Sequence, residues 1–523
     1  TIPILLAIPL VGSLVLFAMK PAQALAAKFL AFGVSVVVLV YTAVLGFSFD
    51  PNKTCASTAT NHHCFQYATS WTWIKSFGVH FAFGLDGIAL VLVVMATILV
   101  PVTILASWNA FDSKAGSEDG TLPQRSVPAY LGLVLLLEFF MIGVFTATDV
   151  FLFYVFFEVM LVPTYFIIGS FGGPRRQYAA MKFFLYSFVG GLLMLASVIG
   201  LYIHSGTSSF AMSDLIGTVP NDTTQKWLFL GFFIAFAIKA PLVPFHTWLP
   251  DAGAEAPIGG AVLLVGVLDK VGTFGFLRYC IPLFPDASKY FAPVILILSV
   301  IGVLYAAFLA IGQRDMKRLV AYTSVAHFGF IGLGVFAFTS QGGSGAVLYM
   351  VNHGFSTAAL FFVVGFLISR GKSRNIDDYG GTAKVTPILG GFFLLAGLSA
   401  LALPGMSTFV SEFLVLVGTF TAHKAIAIVA TTGIILAAIY VLFLYQRAFQ
   451  GPVRNEKVGA FRDLNPREIA AVAPMIALII FLGIYPKPVL DIINPAVKAT
   501  LHDVGHDKDP APKYAVQANG GQK

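Results

Sequence analysis

VILILSVIGVLYAAFLAI, residues 294–311, carries no charge over its whole length, and Gly390 to Leu403 is a second such run. A membrane span needs roughly 20 predominantly apolar residues. Working outward, the same character fills the chain. Of its 523 residues 11% are charged and 57% are hydrophobic, with 50 phenylalanines and a mean hydropathy of +0.84. A soluble domain of this size must cover its outside with polar groups, and charged residues alone usually make up about 25%. A soluble enzyme is excluded, and so is a disordered chain. Short alternating strands separated by turns are missing, which excludes a transmembrane β-barrel. The fold class is all-α and polytopic.

The apolar pattern predicts about fourteen spans, at 2–18, 29–48, 81–107, 128–147, 150–171, 178–204, 228–248, 257–281, 292–312, 318–339, 344–369, 385–417, 424–450 and 467–486. The first is short and 385–417 is too long for one straight helix. The segment 1–17 resembles the apolar part of a signal peptide but lacks a basic start and a small-residue exit, so it reads as a retained span. Alternate loops hold most of the 32 Lys and Arg residues, among them Lys20, Lys28, Arg175, Arg176, Arg314, Lys317, Arg370, Lys372, Arg447 and Arg454. The positive-inside rule places these loops in the cytoplasm and both termini outside it. The net charge of +7 therefore belongs to loops and gives no reason to expect a nucleic-acid partner. The loop 49–80 then faces outward, where Cys55 and Cys64 are free to form a disulfide. Two free thiols, or a metal site with His62 and His63, are the alternatives. Three cysteines cannot supply a four-thiolate cluster. No P-loop and no GxGxxG string is present, so no cofactor is expected in this chain.

An ionisable side chain deep in a bilayer costs several kcal/mol and signals function. Glu138 in LLLEFF, Glu158 in FFEVMLVP, Lys239 in AIKAPLVPFH, Lys270 in VGVLDKVG, His327 in YTSVAHFGF, His353 in YMVNHGFS and Glu412 in GMSTFVSEF all sit inside predicted spans at similar depth. Any one of them, taken alone, has a structural alternative as a packing pair or a hydrogen-bonded core histidine, against which the cost of such groups in lipid counts. Together they form a row across the bundle. A haem held by His327 and His353 is a third reading, but it leaves the acids and lysines unexplained. Two spans are broken by proline: Pro241 and Pro244 follow Lys239, and Leu403-Pro404-Gly405 interrupts 385–417. Proline removes a backbone hydrogen bond and frees carbonyls beside the buried charge. The division is 1–127 (early spans and outer loop), 128–281 and 292–450 (two five-helix units), and 451–523. The break falls in the fourth helix of each unit. An odd helix count inverts the second unit relative to the first, as in transporters.

The strings GLDGIAL (84–90), FFEVMLVPTY (156–165), YAAMKFFLYS (178–187), KAPLVPFHTWLPDA (239–252), RDMKRLVAYTSVAHFG (314–329) and YMVNHGFSTAALF (349–361) resemble the antiporter-like membrane subunits of respiratory complex I. The resemblance runs from about residue 81 to 450. Glutamate at 412, where the L and N branches carry lysine, resembles the M branch, the equivalent of mitochondrial chain 4. The short polar end after the last span fits this too, because the L branch adds a long lateral helix. The resemblance implies that Glu158 pairs with Lys239, that Lys239 carries the proton of the first half-channel, and that Lys270, His327 and His353 bridge to Glu412. It implies a location in the inner (plasma) membrane, and partners in L- and N-like membrane subunits and lipid. FMN, iron–sulfur clusters and quinone would reside in other subunits. The chain departs from the family at Asp269, where an apolar residue is usual, and at Gly253, where histidine is frequent. A multi-subunit cation/proton antiporter and a passive scaffold are the rival readings. Lysine is usual in such antiporters at the place of Glu412, and a scaffold would tolerate neutral residues in the row.

Overall fold

The computed structural model describes residues 1–53, 63–112, 125–220, 223–454, 456–506 and 509. Its helices are α1 (Ile2–Ala18), α2 (Ala24–Phe47), α3 (Gly87–Ala106), α4 (Val127–Thr146), α5 (Val150–Phe171, with a turn at Met160), α6 (Arg176–Ser205), α7 (Thr223–Lys239), α8 (Trp248–Glu255), α9 (Ile258–Leu283), α10 (Pro285–Ile311), α11 (Met316–Phe336), α12 (Ser340–Gly371), α13 (Pro387–Ala400), α14 (Ser407–Ala422), α15 (Lys424–Phe449), α16 (Pro466–Ile484) and α17 (Lys487–Asp503). Among the described residues, 11 helices are long and apolar enough to cross a membrane. The expected span at 2–18 is a single helix of 17 residues, just short of that length, and those at 228–248 and 385–417 are interrupted. The reason is local for the last two: the chain leaves helical geometry at the prolines after Lys239 and at Leu401–Met406.

Two helices sit at the centre. The apolar windows of α9 and α12 are wholly buried, whereas those of α2, α6, α10 and α15 leave more than half of their residues uncovered. The outer helices therefore present apolar faces, such as Leu185, Val189 and Leu192 on α6, while the inner two touch only protein. Close approach is licensed by glycine. A Cβ at Gly354 of α12 would lie 3.0 Å from the Gly266 carbonyl of α9, and one at Gly272 would lie 2.4 Å from the Phe236 carbonyl of α7. Helix α9 also contains two π-helical turns, Leu264–Leu268 and Phe276–Cys280.

Residues 79–85 are a strand, not the start of the third span. β1 (Gln66–Ile74) and β2 (Val79–Leu85) form an antiparallel hairpin in which Trp71 faces Phe81 and Ser70 faces Ala82. The sequence reading missed this hairpin. Its signal was the polar alternation of Thr69-Ser70-Trp71-Thr72-Trp73 before Gly78, which turns at φ +65°. Asp149, between α4 and α5, accepts from the His80 and Leu152 amides at 2.9 Å each. Burial pushes its carboxyl up, and these amides pull it back. Asp86 of GLDGIAL caps α3 by accepting from the Ala89 amide at 2.8 Å and pairs with Arg278 of α9 at 2.6 Å.

Cys64 is disulfide-bonded and Cys280 is free and buried. Cys55 and His62, the other residues of the predicted outer-loop alternatives, lie outside the described residues. His63 lies 2.7 Å from Asp503 of α17.

Candidate proton relay

Helix α7 ends at Lys239, so this lysine terminates a helix instead of lying within one. A cation there is favoured by the helix dipole. The carbonyl freed by the break at Ile238 is taken by the Trp248 indole N–H at 2.8 Å, a donor the sequence reading had not singled out. The Lys239 side chain is 1% exposed, its ammonium makes no hydrogen bond, and it stands 4.9 Å from the centre of the Phe157 ring. Glu158, the neighbour of that phenylalanine on α5, has a buried oxygen with no partner. The two charges act on each other without a hydrogen bond between them. The Glu158 carboxylate fills the notch of Gly191 on α6, where an added Cβ would lie 1.3 Å from Oε1.

From Lys270 the polar groups touch in series. Its ammonium on α9 reaches His353 Nδ1 on α12 at 2.7 Å. The rings of His353 and His327 of α11 are 5.2 Å apart, centre to centre. His327 Nδ1 meets the Tyr349 hydroxyl of α12 at 2.5 Å, and that hydroxyl donates to Glu412 Oε2 of α14 at 2.8 Å. All five side chains are buried. The structure thus brings together Lys270, His327, His353 and Glu412 as a connected path, and it adds Tyr349. That tyrosine stood inside a quoted motif, but nothing in its spacing distinguished it from a packing aromatic. Glu138 on α4 is buried, and among the described residues neither of its carboxylate oxygens is hydrogen-bonded.

The second break is held open from both sides. Ala402 and Gly405 adopt φ of +58° and +94°, the Asn352 amide donates to the Ser407 carbonyl at 2.7 Å, and the Thr408 hydroxyl donates to the Ser399 carbonyl. The charge-rich end of the bundle is knitted by ion pairs. Asp251 of α8 binds Lys182 at 2.7 Å and Arg318 at 2.6 Å, and Glu255 binds Arg374 at 3.0 Å.

The family described as "NADH:quinone oxidoreductase/Mrp antiporter, TM" matches residues 147–437, a stretch that includes every member of this path. The chain belongs to that family. A relative named NADH-quinone oxidoreductase subunit M from Mycobacterium tuberculosis is 46% identical over 546 residues, covering 99% of this chain and 97% of its own length. One of the same name from Rickettsia prowazekii is 41% identical, covering 89% and 91%. Among solved structures, respiratory complex I from Thermus thermophilus with bound NADH contains a chain that matches with a TM-score of 0.83 at 30% identity, covering 97% of this chain and 100% of that one. The Mrp complex from Dietzia sp. contains one at TM-score 0.82 and 20% identity, covering 96% and 98%, a likeness of fold. The family resemblance read from the motifs is thereby confirmed, and with it a multi-pass, mostly helical membrane protein.

Proposed function

We propose that the chain is the M-type proton-translocating membrane subunit of an NADH:quinone oxidoreductase. The observation that carries this reading is the unbroken contact path Lys270–His353–His327–Tyr349–Glu412 through the middle of the bundle. Protons pass along such a path only if each group both takes and gives one, and ammonium, imidazole, phenol and carboxyl groups all do. Lys239 and Glu158 form the first half of the row, in 128–281, and Glu412 ends the second, in 292–450. The occurrence of a broken helix in the fourth place of each unit supports reading the two as inverted half-channels.

Moving one charge against 100 mV costs about 2.3 kcal/mol. In this reading the energy comes from redox chemistry at FMN, iron–sulfur clusters and quinone in partner subunits, so the chain serves the enzyme without catalysing electron transfer. L- and N-like subunits flank it in the inner (plasma) membrane, with the basic loops in the cytoplasm and both termini outside. Glu412 favours this reading over a cation/proton antiporter. The test is Lys239→Ala in the intact complex in membranes. Quinone reduction without the accompanying proton movement is expected. Undiminished pumping in an assembled complex overturns the proposal.

A further inference from the structure

Asp269 is a buried acid that the path does not employ. It is fully buried, and the Lys270 ammonium lies 2.9 Å from its Oδ1. Among the described residues neither carboxylate oxygen receives a well-aligned hydrogen bond. The preceding π-turn, Leu264–Leu268, brings the Val265 carbonyl to 2.5 Å from the same ammonium. Lys270 thus has three polar neighbours: the Val265 carbonyl and His353 Nδ1 within hydrogen-bond reach, and the Asp269 carboxylate as an ion pair. Two of the three hold the proton in place, and only the third passes it on.

We propose that Asp269 is a positioning residue for the bridging lysine: a fixed counter-ion that keeps the proton on Lys270 and makes its transfer to His353 the gated step. The inference rests on the relay reading above. In that step the N–H bond of the ammonium breaks and a bond to His353 Nδ1 forms. Lys270 becomes a neutral amine, His353 an imidazolium, and Asp269 remains a carboxylate. The positive charge has then moved away from the carboxylate beside it, in fully buried surroundings. Opposite charges a few ångströms apart favour the charged forms of both partners, so the carboxylate opposes the transfer. Release requires a change in another group on the helices packed around α9. These carry Lys239 at the end of α7, Glu138 on α4, His327 on α11 and His353 on α12, while Arg278 on α9 itself is already paired with Asp86. A second positive charge nearing Lys270 from the Lys239 side supplies that change.

The experiment uses the intact complex in membranes and reads proton pumping and quinone reduction from pH 6 to 9 for Asp269→Asn, Asp269→Glu and the double variant Asp269→Asn/Lys270→Met. Loss of the carboxylate lets Lys270 shed its proton at lower pH. The alkaline limb of pumping in Asp269→Asn should move down by about one pH unit, so the pumping ratio between pH 8.5 and 6.5 falls by up to about sixfold. Asp269→Glu should bring the limb back. A limb in Asp269→Asn that coincides with the parent overturns the proposal. If Asp269→Asn fails to assemble, the double variant decides: removal of both charges should restore assembly, because a lone buried charge costs more than none. Failure of the double variant as well makes Asp269 a packing residue. Lys239→Ala measured in parallel separates the two ideas. If it pumps normally, the relay reading fails and this inference falls with it. If it does not pump while the Asp269→Asn limb stays in place, the counter-ion idea alone is wrong.

Discussion

Tyr349 is the residue on which the path depends and the one the sequence did not announce. Buried lysines, acids and histidines are conspicuous because each is costly in an apolar helix. A tyrosine is amphipathic and fits such a helix without penalty, so only its contacts with His327 and Glu412 expose its role. Tyr349→Phe keeps the ring and removes the hydroxyl. Pumping should fall by about tenfold or more, with assembly intact, since a positioned proton donor contributes at least that much; an unchanged pumping rate would mean that protons reach Glu412 another way. Glycine was equally silent. At Gly191 the missing side chain makes room for the Glu158 carboxylate. Gly191→Ala should displace that carboxylate and reduce pumping towards the level of Glu158→Gln, as measured by quenching of a pH-sensitive dye, while Gly33→Ala, on a position with open space around it, should do nothing.

Between elements, the broken helices were legible because proline advertises itself, whereas the groups that stabilise the breaks were not. Trp248 at the first break and Asn352 at the second are single polar contacts to backbone carbonyls, with no periodicity to give them away. The second break does not depend on Pro404 alone, because Ala402 and Gly405 already hold left-handed backbone and Asn352 claims the Ser407 carbonyl. Pro404→Ala should therefore leave pumping near the parent value. Asn352→Leu should not: it strands a buried carbonyl at a cost of about 1–3 kcal/mol, and a lowered melting temperature with impaired pumping is expected. If the two variants rank the other way, proline is what sets the break. The hairpin β1–β2 was hidden for a different reason. Its second strand is apolar and runs straight into α3, so the two read as one long span until Asp86 is seen to cap the helix at Gly87.

Across the whole molecule, hydropathy predicted which segments enter the membrane but not which lie innermost. Enclosure of α9 and α12 follows from glycines such as Gly266 and Gly354, and not from how apolar the helices are. The amphipathic α17 was read as polar tail. It packs along α3, α9 and α12, so closely that a Cβ on Gly87 would sit 1.9 Å from the Ile492 carbonyl. Gly87→Ala should force the two apart and destabilise the subunit by about 1–3 kcal/mol. Earlier cleavage of α17 by an added protease, applied from the outer side of sealed vesicles, is the measurement. Cleavage only from the cytoplasmic side would reverse the assigned orientation.

The 2.7 Å contact between His63 and Asp503 joins the loop ahead of the hairpin to the last helix, some four hundred residues later in the chain. A growing chain emerges from its N-terminal end, so the early helices enter the bilayer long before α17 exists. The end of α3 waits through most of synthesis without its cover, and that of α12 until the last part of the chain is made, so the relay is complete in sequence before it is sealed in space. Birth order thus leaves an interval in which the helices carrying His353 and Tyr349 are inserted but unfastened. A premature stop after residue 486 would make that interval permanent.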